Sequence, residues 1–152
     1  MKGAVTIGID PGYKTGAVAI INDDFAEVHD LPVFEEGGIN CIELMEILTD
    51  FDDVDHIIIE KVGPMPKQGV VSMFKLGFGF GQILSAAALS RSPYSLVTPV
   101  VWKRAMNLPR DKDAARRLAI QWFPKLADQL KRKKDEHRAE ALLLAAYHRG
   151  MR

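Results

Sequence analysis

Asp10 closes the first apolar run of this 152-residue chain, Glu60 closes the fourth, and Glu136, His137 and Glu140 lie where a last helix begins. On a helix, positions 136 and 140 share a face, as do 137 and 140. If the first and fourth runs are neighbouring strands, Asp10 and Glu60 project from one sheet edge and the last helix brings Glu140 beside them. Carboxylates gathered in that way repel one another unless a cation compensates them. A donor set made only of oxygen suits Mg²⁺ or Mn²⁺. Two such ions activate a water and stabilise the leaving oxygen in phosphodiester cleavage. Asp10, Glu60, Glu136, His137 and Glu140 are therefore the residues from which such a site could be built. The plainer alternative is a turn aspartate, a strand-end glutamate and a capped, solvated helix start.

The elements that must position these residues follow from periodicity. Ala4 to Ile9 is rich in β-branched residues and stops at Asp10-Pro11-Gly12, a turn signal. Gly16 to Ile21 and Phe25 to Leu31 read as two further strands, the latter alternating as an edge strand does. Short connections favour an antiparallel meander. Ile39 to Leu48 has helical spacing, and His56 to Glu60 has the composition of a buried central strand. A loop with Gly63, Pro64, Pro66 and Gly69 leads into a long helix over Val70 to Leu89, despite Gly77, Gly79 and Gly81. Three glycines in five residues point to a close backbone approach or a break. Tyr94 to Thr98 is a fifth strand, closed by Pro99. Asp111 is the expected N-cap of a helix through Trp122, which Pro124 ends, and Asp135 or Glu136 begins the last helix, through His148. The order predicts one mixed α/β domain over residues 1–152, a five-stranded sheet flanked by helices.

Composition at first argues against a nucleic-acid partner, because 20 basic residues balance 20 acidic ones. The distribution reverses that inference. Residues 1–60 carry two basic and 14 acidic side chains, a balance of −12, and residues 61–152 carry 18 basic and six acidic, a balance of +12. A basic second part attracts phosphate. The single cysteine, Cys41, makes no intramolecular disulfide and fits a reducing, cytoplasmic setting. The longest uninterrupted apolar runs are too short to span a bilayer, so no membrane partner is expected.

Five segments together resemble a known family. Ile7-Gly-Ile-Asp10-Pro-Gly-Tyr-Lys-Thr-Gly16 resembles the opening motif of RuvC-like Holliday junction resolvases, and Ile57-Ile-Ile-Glu60 resembles their second acidic strand. Met65 to Gly77 is similar to the next segment of phage and organellar members. Pro99-Val-Val-Trp-Lys103 and Arg138 to Tyr147 are similar to later blocks. The resemblance implies a ribonuclease H-like fold, a homodimer, and symmetric paired nicking of four-way DNA junctions with Mg²⁺ or Mn²⁺, two ions per site, and no nucleotide cofactor. Asp10, Glu60 and Glu140 match the family's acidic positions. The fourth position is an acid or a histidine three or four residues before the last acid. His137 and Glu136 hold those slots, whereas Asp135 lies about 140° around the helix from Glu140. The resemblance thus implies Asp10, Glu60, Glu136 and Glu140 as metal ligands, with His137 as a ligand or proton carrier.

The resemblance also selects, from the many basic residues, Lys14, Lys61, Lys67, Lys75 and Lys103 as DNA contacts, with Gln68 and Ser72 as neutral donors. The loop after Glu60 departs from the bacterial pattern in having no aromatic residue to wedge into a junction. Met65 or Phe74 would have to serve, although Phe74 reads first as core. Trp102 reads as a core or interface anchor. Gly77, Gly79 and Gly81 are candidates for close helix packing between subunits. A sugar-kinase-like or actin-like ATPase would need a second copy of the Asp-Pro-Gly turn in a related domain, and the chain has no repeat. A nuclease of the same fold acting on RNA or other branched DNA, and a non-catalytic DNA-binding module, remain as rivals.

Overall fold

The computed structural model describes residues 3–111 and 113–151. β1 (Val5–Asp10), β2 (Ala17–Ile21) and β3 (Ala26–Asp30) form the antiparallel meander. After α1 (Cys41–Thr49), β4 (Val54–Glu60) pairs parallel to β1, and after α2 (Val70–Leu89), β5 (Tyr94–Val97) pairs parallel to β4. The sheet order is β3-β2-β1-β4-β5. Then come α3 (Pro99–Ala105), α4 (Ala114–Trp122), the short α5 (Ala127–Leu130) and α6 (Glu136–His148), with single 3₁₀ turns before α5 and α6.

Alternation along the strands divides the core between the two sheet faces. Val5, Ile7 and Ile9 of β1 join Ile57 and Ile59 of β4 against Leu44, Leu48 and Ile83 from α1 and α2. Ile58 joins the core of the opposite face, which α6 fills with Ala139 and the run Ala141–Ala146. A helix apolar on every side belongs between layers, and α6 lies between the sheet and α4. Gly8 sets its distance. A β-carbon there would stand 2.3 Å from the Ala141 carbonyl oxygen and 2.8 Å from the Ala145 nitrogen. The absence of a side chain at position 8 lets α6 rest on the strand backbone, one residue from Glu140.

Several sequence expectations are corrected. Pro99 does not merely stop β5. It occupies the first turn of α3, where its missing N–H costs nothing. Asp113, not Asp111, is the N-cap residue of α4. Asp111 instead accepts the Asp113 N–H at 3.0 Å in the preceding turn. Phe74 is not core, for its residue is 73% exposed. By length and composition α2 could cross a bilayer, which the uninterrupted runs had not suggested. It is one-sided, however: Gly79, Ile83, Ala86 and Ala87 are buried, while Val70, Val71, Phe74, Phe78 and Leu89 are exposed.

Candidate metal centre

The parallel register of β1 and β4 builds the centre. Ile9 pairs with Ile59, so Asp10 and Glu60 are the next residues on adjacent strands. Both fall on the α6 side of the sheet, in phase with Gly8 and Ile58. Glu140 comes from the first half of α6. Oxygens of Asp10, Glu60 and Glu140 lie within 4.8 Å of one another.

Burial and repulsion from neighbouring carboxylates make Asp10 and Glu60 hard to ionise. Burial pushes the Asp10 carboxyl up, and the Glu140 charge adds to this, against a hydrogen bond from His137. Burial, then the Asp10 charge, push Glu60 up to about 7, although the Trp102 indole opposes the rise. His137 Nδ1 lies 2.7 Å from Asp10 Oδ2, and that hydrogen bond holds the imidazole above its ordinary value. Lys103 Nζ is 2.6 Å from Glu140 Oε1. Burial works against the ammonium, but the Glu140 hydrogen bond and the three carboxylates raise its value. Trp102 Nε1–H donates to Glu60 Oε2 at 2.7 Å.

No family model matches the sequence, and no curated protein matches it by sequence. Solved structures do match the fold. RuvC from T. thermophilus, in complex with a Holliday junction substrate, superposes with a TM-score of 0.71 at 18% identity, over 96% of this chain and 92% of that one. The yeast mitochondrial Holliday junction resolvase Ydc2 superposes with a TM-score of 0.57 at 13% identity, over 99% and 81%. The Fowlpox virus resolvase, in complex with Holliday junction DNA, superposes at 0.53 and 16% identity, over 94% and 97%. The chain has the ribonuclease H-like fold of RuvC.

Within this RuvC-like fold the anticipated residues separate. Asp10, Glu60, Glu140 and His137 meet. Glu136, half-buried one residue before His137, is not among the carboxylates whose oxygens converge. It is His137, three residues before Glu140, that reaches Asp10 from the first turn of α6. Asp135 is committed elsewhere: it is buried, its carboxylate takes the Arg132 guanidinium at 2.9 to 3.2 Å, and it accepts the Arg132 N–H. Lys14, Lys61, Lys67, Gln68, Ser72 and Lys75 are exposed around the loops that leave β1 and β4. The Lys75 ammonium lies 5.7 Å from the centre of the Tyr13 ring, beside the turn after Asp10. Lys103, expected among the phosphate contacts, is paired with Glu140 at the edge of the acidic centre. Beyond His137 a 260 Å³ cleft continues, lined by Lys14, Lys134 and the paired charges Arg132–Asp135 and Arg138–Asp30, a net positive balance.

The all-oxygen set, convergent and nine-tenths buried at Asp10, fits a hard divalent cation such as Mg²⁺ or Mn²⁺. Lys103 compensates part of the charge from one side. Trp102 is buried, as a core anchor would be, and its hydrogen bond to Glu60 is the contact at the centre that the sequence did not suggest. Its signal was a tryptophan beside a lysine, three residues after the Thr98-Pro99 pair that closes β5.

Proposed function

We propose that this protein is a metal-dependent, structure-selective endonuclease that resolves four-way DNA junctions by symmetric paired nicks. The observation that carries the proposal is the convergence of Asp10, Glu60 and Glu140 at the end of parallel strands β1 and β4. Asp10, Glu60 and Glu140 would hold the divalent ions. When bound, these ions supply charge stabilisation and activation of water for phosphodiester hydrolysis. The protein's own groups do the remaining work. His137, fixed through Nδ1 on Asp10, presents its ring at the mouth of the basic cleft, where it can accept or return a proton. Lys103 balances the carboxylates near the reacting phosphate. Lys14, Lys61, Lys67 and Lys75, with Gln68 and Ser72, bind flanking phosphates through charge and hydrogen bonds that carry no sequence information.

Paired cuts need two centres, and the exposed face of α2 supports a homodimer. Val70, Phe74, Phe78 and Leu89 are exposed on it, and nothing lies within 4 Å of a β-carbon at Gly77 or Gly81. Gly79 faces inward, where a β-carbon would stand 3.1 Å from the Gly12 carbonyl oxygen. The glycines therefore serve two contacts, one within the chain and one between chains.

With Mg²⁺ or Mn²⁺, a labelled four-way junction should be nicked in opposing strands while linear duplex and an RNA hairpin stay intact. Equal cutting of duplex, or cutting of RNA alone, would overturn the assignment. Asp10→Asn should abolish cleavage and keep junction binding. Phe74→Ser with Phe78→Ser should give a monomer by light scattering and convert paired nicks into single ones.

A further inference from the structure

We infer that Trp102 is a positioning residue of the acidic centre, orienting the Glu60 carboxylate for the metal through its indole N–H. The inference rests on the metal-centre reading above and concerns a residue that does not itself touch metal or DNA. The Trp102 side chain has no exposed surface. Indole is a donor without an acceptor, and a buried indole N–H needs a partner. Here the partner is a carboxylate of the centre itself, at the 2.7 Å expected of a charge-assisted bond. Among the described residues no hydrogen bond reaches the other oxygen of Glu60, Oε1. One oxygen is anchored and the other is left for the cation.

The chain path explains how the donor arrives there. Glu60 pairs with Val97 of β5, and Lys61 N–H donates to the Val97 carbonyl at 2.8 Å. Thr98 and Pro99 turn the chain straight into α3, which returns Trp102 beneath Glu60. The next residue, Lys103, bonds Glu140, so neighbouring positions on one short helix hold carboxylates from β4 and α6. A residue chosen only to fill this volume would need no N–H. Partners of metal ligands of this kind govern about 10–100-fold in metal affinity.

The test measures Mn²⁺ uptake by the DNA-free protein, following the free ion by electron paramagnetic resonance. Trp102→Phe removes the donor and some volume. Benzothienylalanine at position 102, which carries sulfur in place of the N–H, removes the donor and keeps the shape. Both should weaken Mn²⁺ binding by about 10–100-fold, while the benzothienyl protein melts near the wild type in chelator. In the metal-free wild type, the Trp102 indole ¹⁵N–¹H signal should exchange slowly and move on Glu60→Gln. Mn²⁺ affinity within twofold of wild type in the benzothienyl protein would overturn the role of Trp102 and leave the metal centre standing. A wild type that takes up no Mn²⁺ would overturn both.

Discussion

Glu60→Gln should make the metal-free protein more stable, because the centre holds a charge the fold resists. Glu60 stands at about 7 against an ordinary 4.5, through burial first and the Asp10 charge second. A carboxyl raised on folding stabilises the protein when protonated, below its unfolded value, and that contribution is lost as pH rises through the folded value. Each pH unit between the two values is worth about 1.4 kcal/mol, so at pH 8 ionised Glu60 costs roughly 3 kcal/mol. Glutamine keeps a carbonyl oxygen for the Trp102 N–H and carries no charge. For a domain of this size the gain corresponds to a rise in Tm of about 6–12 °C. The assay is thermal unfolding by circular dichroism in chelator, for wild type and variant, at pH 8 and pH 5. The gap should shrink to about 1 kcal/mol or less at pH 5. Added Mg²⁺ should narrow it at pH 8 by stabilising the wild type. A variant that melts at or below the wild type at pH 8, or a gap that ignores pH, would refute the reasoning.

Asp135 and Asp10 should respond differently to loss of their charge. Asp135→Asn breaks the buried half of the Arg132 pair and should cost about 1–3 kcal/mol in urea unfolding, whereas Asp10→Asn should not destabilise the metal-free protein. Gly8→Ala forces α6 away from β1 and should cost about 1–3 kcal/mol, with cleavage measured well below the melting range falling more than the folded fraction does. His56 stacks on His148 with ring centres 4.0 Å apart, and burial followed by the His148 charge lowers its value. The stability from neutral His56 is therefore present above about pH 6.5 and lost as pH falls. His148→Ala should flatten that part of the stability–pH curve, and an unchanged slope would count against the pair.

Local chemistry made much of this site legible. A β-branched run ending in Asp10-Pro-Gly and a triple isoleucine ending in Glu60 announce strands whose last residues meet a sheet edge. The 137 and 140 spacing announces a shared helical face. What local pattern does not contain is the partner. Nothing near Ile9 or Ile59 says that they pair in parallel, so the meeting of Asp10 with Glu60 was conditional until the sheet order was known. Lys103 reads from the sequence only as a phosphate contact, because its counter-charge lies 37 residues away in Glu140. Phe74 looked like core because hydrophobicity records a preference for burial and not whether the fold covers the residue. Proline read as a terminator hid α3, and with it the Trp102 contact.

The centre draws on residues far apart in the polypeptide: His137 meets Asp10 across 127 residues. Synthesis delivers β1 first and α6 last. While β1 and β4 wait, the backbone at Gly8 has no helix resting on it and Glu140 has not arrived. A growing or truncated chain thus holds two of the three carboxylates and no means of completing the set. The three-carboxylate set is therefore a property of the folded span from β1 to α6 and of no shorter piece of it.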